Sequence, residues 1–228
     1  AHQPEAIIVN NSGLEARGAR GHEQIDCVTF ERGRPQARRD EPGTRPVAME
    51  MCQTMNDHWG YAADDIDYKS PAEILHDLLC CRRYGAQLLL NIGPKGDGTL
   101  RTIDAGMLEL IGRWMSKNGE AMYAPRPCGI AVEGRADDFL LQDGDTYYLF
   151  CDHLPMMGDP NVVLGGKRDD FTDRFTLGAE IVAAEWLDDG SPVCFSPGAD
   201  GRIEVTAQPF GYGRSMVARV ARLRTVHR

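Results

Sequence analysis

Two acidic residues stand where a sheet enzyme keeps its working groups. Glu31 closes the run Cys27–Phe30 (CVTF), and Glu50 lies inside Val47–Cys52 (VAMEMC). Both runs read as short strands, and in α/β barrels the reacting side chains sit at the C-terminal ends of strands. Asn10, at the end of Ala6–Asn10, and Asn91, within Leu88–Ile92, hold equivalent places. Two carboxylates on neighbouring strands suit glycosidic bond cleavage, where one protonates the leaving oxygen and the other attacks or activates water. By spacing alone, a solvated or salt-bridged strand-end glutamate is the commoner reading. Trp59 follows the third run, in His58-Trp59-Gly60-Tyr61. An exposed ring there offers an apolar face to a sugar; the competing reading is a packed loop tryptophan.

Other chemistries find less support. Gly93–Thr99 (GPKGDGT) hints at a phosphate loop, but its lysine is misplaced for one, so a strand-to-helix turn is expected. Asp64, Asp65 and Asp67 lack the glycine and distal glutamate of a calcium loop and read as a solvated acidic loop. The 6 histidines form no pair at metal-ligand spacing, and no G-x-S-x-G elbow is present. The 7 cysteines include no C-x-x-C pair and are odd in number, which favours reduced, mostly buried thiols and, weakly, a cytoplasmic setting. A net charge of −9 argues against a dedicated nucleic-acid binder. No apolar run approaches the ~18 residues of a membrane span.

The elements that must carry these residues change character along the 228-residue chain. Ala6–Asn10 reads as a buried strand closed by the turn cluster Asn10-Asn11-Ser12-Gly13, and residues 11–25 and 32–45 read as loops. Ser70-Pro71-Ala72-Glu73 is a helix start: serine caps, proline fits the first turn and Glu73 completes a capping box. Ile74, Leu75, Leu78 and Leu79 make its apolar face, and Gly85 ends it. Leu88–Ile92 (LLLNI) has the continuous apolar pattern of a central parallel strand buried on both faces. A second helix is expected from Ile103 to Asn118, with Leu108, Ile111, Trp114 and Met115 inward and Gly119 as its stop. Leu89 and Ile111 should be almost fully buried, and Leu89→Ala should cost about 2–5 kcal/mol. A helical or exposed-edge Leu88–Ile92 would refute the barrel assignment.

Beyond Pro125–Pro127, helical spacing gives way to short runs between Asp-Gly, Gly-Gly and Pro-Gly turns. The runs are Phe139–Leu141, Tyr147–Phe150, Val162–Leu164, Ile181–Trp186, Ile203–Val205 and Ser215–Val220. The expected organisation is therefore α/β, with residues 1–125 forming the second half of a (β/α)8-type barrel. Residues 126–228 are expected to form an antiparallel β-sandwich. A whole barrel takes about 250 residues, and a half exposes two raw sheet edges. The Ala-His-Gln-Pro opening, without methionine, also suggests a processed chain or a piece of a longer one.

The segment from Met49 to Tyr123 resembles the α-L-fucosidases of glycoside hydrolase family 29. The resemblance is carried by Met49-Glu50-Met51-Cys52, His58-Trp59-Gly60-Tyr61, Leu88–Gly98 (LLLNIGPKGDG), Ile111-Gly112-Arg113-Trp114 and Asn118–Tyr123 (NGEAMY). Ala6–Glu31 matches more loosely, and the similarity spans about residues 3–125. It implies a retaining fucosidase without metal or cofactor, acting on fucosylated glycans or glycosides. An aspartate would be the nucleophile and a glutamate the acid, then the base. Glu31 falls where bacterial members place that acid/base and is preferred; Glu50 falls at a position proposed in animal members. Trp59 matches the aromatic lining the fucose pocket.

Two departures from the family pattern stand out. Asn10-Asn11-Ser12 lacks the family's sugar-contacting arginine, for which Arg17 or Arg20 would have to substitute by loop rearrangement. The only aspartate before Glu31 is Asp26. Five residues of strand span about 17 Å, whereas retaining carboxylates stand about 5–5.5 Å apart. The nucleophile is therefore expected upstream of Ala1, and this chain alone is expected to be inactive. The expected partner is a separately supplied N-terminal half or a second copy of the chain. The alternatives are a non-catalytic carbohydrate- or partner-binding module, or one half of a split or degraded glycosidase.

Overall fold

The computed structural model describes residues 3–11, 20–37, 45–158, 171–198 and 202–226. It divides into two compact units, Ala1–Ile111 and Gly112–Arg228.

In the first unit, β1 (Val9–Asn10), β2 (Cys27–Glu31), β3 (Ala48–Thr54) and β4 (Gln87–Asn91) form a parallel sheet in chain order. α1 (Pro71–Arg83) makes the crossover from β3 to β4. Its N-terminus has the expected capping box. The Ser70 amide donates to Glu73 Oε2 at 2.7 Å, and the Glu73 amide donates to Ser70 Oγ at 3.2 Å. Gly85 follows the helix with φ 71°, a left-handed conformation that glycine adopts without strain.

The sheet has two unlike faces, because side chains alternate along a strand. Val28, Phe30, Met49 and Met51 point to one face and pack with Cys81 of α1 and Ala86 into a core. Cys27, Thr29, Glu31, Glu50, Cys52 and Leu89 point to the other. Leu89 is 50% exposed and Val9 51%. Three expectations are corrected here. Only Val9–Asn10 of the Ala6–Asn10 run is strand, and it is exposed rather than buried. β4 is an edge strand of this sheet, not a central one, and Leu89 is half exposed rather than buried. That is the outcome set against a barrel: among the described residues the sheet stays open, with four parallel strands.

α2 (Thr102–Tyr123) continues past Gly119, its expected stop, and ends just before Ala124-Pro125. The residue before a proline is disfavoured in helix, so Pro125 rather than Gly119 sets the end. Within the first unit, Met107 packs with Met55 and Ile74, whereas Leu108 is exposed and Ile111 only half-buried. In the second unit Trp114 is buried as expected, its indole N–H donating to Ala218 O at 3.0 Å. Met115 there is half-buried.

The rest of the second unit is antiparallel. β5 (Arg126–Pro127), β6 (Phe139–Asp143), β7 (Thr146–Cys151), β12 (Arg219–Val226) and β9 (Glu180–Trp186) make a five-stranded sheet in the order β5-β6-β7-β12-β9. β8 (Phe171–Phe175), β10 (Cys194–Pro197) and β11 (Ile203–Ala207) make a second, ordered β10-β11-β8. One core draws on both sheets: Leu149, Trp186 and Leu223 from the first, Phe175 and Val205 from the second. β5, β8 and β10 carried no strand expectation. The Ser215–Val220 run is displaced, with strand only from Arg219. Val162–Leu164, Ser12, Gly13 and Arg17 lie outside the described residues.

All 7 cysteines are free thiols. Cys81 and Cys151 are buried, Cys194 is exposed and the other four are half-buried, so "mostly buried" overstated them. Among the described residues, no helix is long and apolar enough to cross a membrane.

Candidate active site

Register brings the two glutamates to one face. Glu31 pairs with Cys52, and Glu50 with Thr29. Aligned residues on parallel strands point the same way, so both carboxylates share the open face. Strand spacing and rise put their backbones about 8 Å apart on the diagonal. Glu31 is the last residue of β2, at the C-terminal end of the sheet. Glu50 does not hold the expected strand-end place: β3 runs on to Thr54, and Glu50 is its third residue.

The thiols nearby feel these charges. Burial pushes the Cys27 thiol up, and Glu50 pushes it further. Cys52 is raised by burial first, then by Glu50 and Glu31. Cys52 therefore lies within the field of both carboxylates, and its thiol stays protonated at neutral pH.

Beyond Glu31 the chain turns sharply. Arg32 has φ 51°, an uncommon left-handed conformation for a residue with a Cβ. Its amide donates to Cys52 O at 2.8 Å. Its guanidinium donates to Asp57 O and lies 5.0 Å from the centre of the Trp59 ring. Arg32 thus ties the end of β2 to the loop after β3. From the other side, Asn91 Nδ2 at the end of β4 donates to Trp59 O at 2.5 Å. Gly93 presses on the same loop: a Cβ there would come within 2.5 Å of Gly60 C. Trp59, 37% exposed, is therefore held from β2 and from β4 with part of its ring open to solvent.

His58 is fixed as well. Its Nδ1 lies 2.7 Å from Asp65 Oδ2, and the Asp65 side chain is only 5% exposed. The His58 hydrogen bond, aided by the Asp67 amide, holds the Asp65 carboxyl below its ordinary value despite burial. The expected solvated acidic loop is corrected at Asp65, which is a buried acceptor. Gly93–Thr99 is a strand-to-helix turn, closed by Lys95 N–H to Thr99 O at 2.9 Å.

Two residues fall at the opposite end of the sheet. Asp26 precedes β2, accepts from Ile8 N–H at 2.9 Å and pairs with Arg45 at 2.6 Å. Arg20 donates to Glu23 O and Arg45 O at that same end. Arg20 is therefore unable to stand in for a sugar-contacting arginine beside Glu31.

Sequence reasoning missed Arg32 and the structural part of Asn91. A cation directly after a candidate acid was visible; the left-handed turn that aims it at Trp59 was not.

Comparison with known proteins gives first a class, glycoside hydrolases. The Alpha-L-fucosidase family profile matches residues 1–120. The chain belongs to the α-L-fucosidase family. It is 33% identical over 117 residues to human tissue α-L-fucosidase, a match covering 50% of this chain and 25% of that protein. α-L-Fucosidase isoenzyme 1 from Paenibacillus thiaminolyticus superposes with a TM-score of 0.66 at 23% identity, over 89% of this chain and 46% of that one. A family 29 α-L-fucosidase from Bacteroides thetaiotaomicron gives 0.65 at 22%, over 88% and 43%. At these identities the structures speak for the fold alone. The chain spans less than half of either solved structure.

Proposed function

We propose that this chain is the acid/base-bearing part of a retaining α-L-fucosidase that hydrolyses terminal α-L-fucosyl linkages of glycoconjugates. The observation that carries the reading is Glu31 at the carboxyl end of β2, beside a Trp59 loop clamped by Arg32 and Asn91. In it, Glu31 protonates the glycosidic oxygen as it leaves and then activates water, and Trp59 packs on the apolar face of fucose. Glu50 is the second candidate for the acid/base. The nucleophilic aspartate is supplied from outside this chain, since Asp26 is held at the wrong end of β2. On this account, residues 1–125 are half of a (β/α)8-type barrel, whose last strand β4 is an edge until the other half closes it, and residues 126–228 are a β-sandwich. The exposed face of β1 and β4 is the barrel interior, completed by another segment or chain.

The test is an assay of this chain on an aryl α-L-fucoside, alone and then mixed with an N-terminal barrel half from a family member. Background turnover alone and activity on mixing support the reading. The exposed Val9 and Leu89 also favour a second reading, a non-catalytic module that docks on a partner chain. Stable complex formation with no activity in any mixture would select it.

A further inference from the structure

The second unit contains three potential metal ligands in a place where acids are costly. Asp138, just before β6, Cys151, at the end of β7, and Asp173, in the middle of β8, are all buried. Their ligand atoms lie within 4.8 Å of one another. β7 belongs to the five-stranded sheet and β8 to the three-stranded one, so the cluster bridges the two sheets.

Its hydrogen bonding is incomplete. Asp138 Oδ1 accepts from the Asp152 amide at 2.7 Å, and Cys151 Sγ lies 3.6 Å from Asp173 Oδ2. The Asp138 and Asp173 carboxyls face each other and the Arg135 amide reaches Asp173, yet Asp138 Oδ2 and Asp173 Oδ1 are buried with no proton donor aimed at them. Buried carboxylate oxygens left unpaired are strongly unfavourable, so the pair calls for a cation or a proton. Gly134 makes room for the group: a side chain there would collide with Asp173 Oδ1.

We propose that Asp138, Cys151 and Asp173 form a structural site for a thiophilic divalent metal, zinc in the first instance, that ties the two sheets together. Zn–S and Zn–O bonds of about 2.3 and 2.1 Å give a tetrahedral S–O edge of about 3.6 Å, the separation Cys151 and Asp173 already have. Cys151 Sγ and one carboxylate oxygen each from Asp138 and Asp173 make a three-atom S,O donor set, with a water as the fourth ligand. Thiolate favours zinc or cobalt over magnesium or calcium. The charges also close. Two carboxylates and a thiolate carry three negative charges. Arg135, beside the cluster with its guanidinium 4.5 Å from the Phe171 ring centre, supplies one positive. A divalent cation neutralises the remainder. On binding, the Cys151 S–H proton and any proton shared by the carboxyls leave to solvent, with no change of oxidation state. Burial means that the metal enters as the unit folds. The site is remote in sequence from Glu31 and takes no part in the proposed hydrolysis.

The experiment is to produce the whole chain in zinc- or cobalt-supplemented medium and measure bound metal by mass spectrometry. The cobalt form should carry one metal per chain and show a thiolate-to-cobalt charge-transfer band in the near ultraviolet. Cys151→Ser should lose the band, and Asp173→Asn the metal. Should a variant fail to fold, the wild-type metal content and cobalt spectrum still decide. A folded wild-type chain that carries no metal and shows no thiolate band overturns the proposal and leaves a proton-sharing carboxyl pair.

Discussion

Cys27 and Cys52 act as reporters for the two glutamates. Glu50 raises both thiols, whereas Glu31 raises Cys52 alone. Removing a negative charge favours the thiolate, and the thiolate is the species that alkylates. Glu50→Gln should therefore speed iodoacetamide labelling of both cysteines, and Glu31→Gln that of Cys52 only, read by mass spectrometry at fixed mildly alkaline pH. Acceleration of Cys27 by Glu31→Gln would refute this arrangement. The same pair decides the chemistry in a catalytically complete fucosidase carrying this segment. There Glu31→Ala should hurt poor leaving groups most and be rescued by azide, which attacks the fucosyl-enzyme without base assistance. Azide rescue of Glu50→Ala instead would move the acid/base to Glu50. The places of Glu31 at a strand end and Trp59 in a loop were legible as local patterns, whereas Glu50 lies inside β3, which runs past its expected end to Thr54. Arg32 was not legible, since its reach to Trp59 depends on a left-handed backbone that an arginine rarely adopts.

α1 is the element the sequence specified most fully, because its cap, face and stop all lie within one short segment. Ser70→Ala should cost about 1 kcal/mol at neutral pH by thermal or urea unfolding. The Ser70 amide first, and its hydroxyl second, hold the Glu73 carboxyl below its ordinary value of 4.5, and Ser70→Ala removes only the hydroxyl's share. A depressed carboxyl contributes stability above its unfolded value and loses it as pH falls through the folded one. The Ser70→Ala penalty should accordingly shrink on acidification below pH 4.5; a penalty unchanged there would assign the cap to serine alone. Leu79, buried in α1, should cost about 2–5 kcal/mol on replacement by alanine. Leu89→Ala should cost well under that, reversing the sequence expectation, because half of its side chain is already in water. β4 and α2 misled for related reasons. An apolar run is silent on which neighbours cover it, and Gly119 inside a helix is tolerated when a proline supplies a firmer stop.

For the whole molecule, the family is established over residues 1–120 and the fold over most of the chain, yet one face of the parallel sheet leaves Val9 and Leu89 exposed beside its two glutamates. Motif blocks such as LLLNIGPKGDG made the family legible. Coverage of that face was not legible, since a strand's own pattern does not say which groups pack over it. Val9 and Leu89 on that face, 51% and 50% exposed, are where an N-terminal barrel half should dock. Leu89→Lys should weaken that association in sedimentation velocity while leaving the thermal midpoint of the chain nearly unchanged; an unaffected association would place the contact elsewhere. The central claim is that this chain supplies the acid/base and fucose platform but no nucleophile. Its most direct test is steady-state turnover of an aryl α-L-fucoside by the purified chain alone. The account predicts a rate indistinguishable from buffer. Turnover well above background that is abolished by Glu31→Ala would contradict it, showing that a nucleophile lies within these 228 residues.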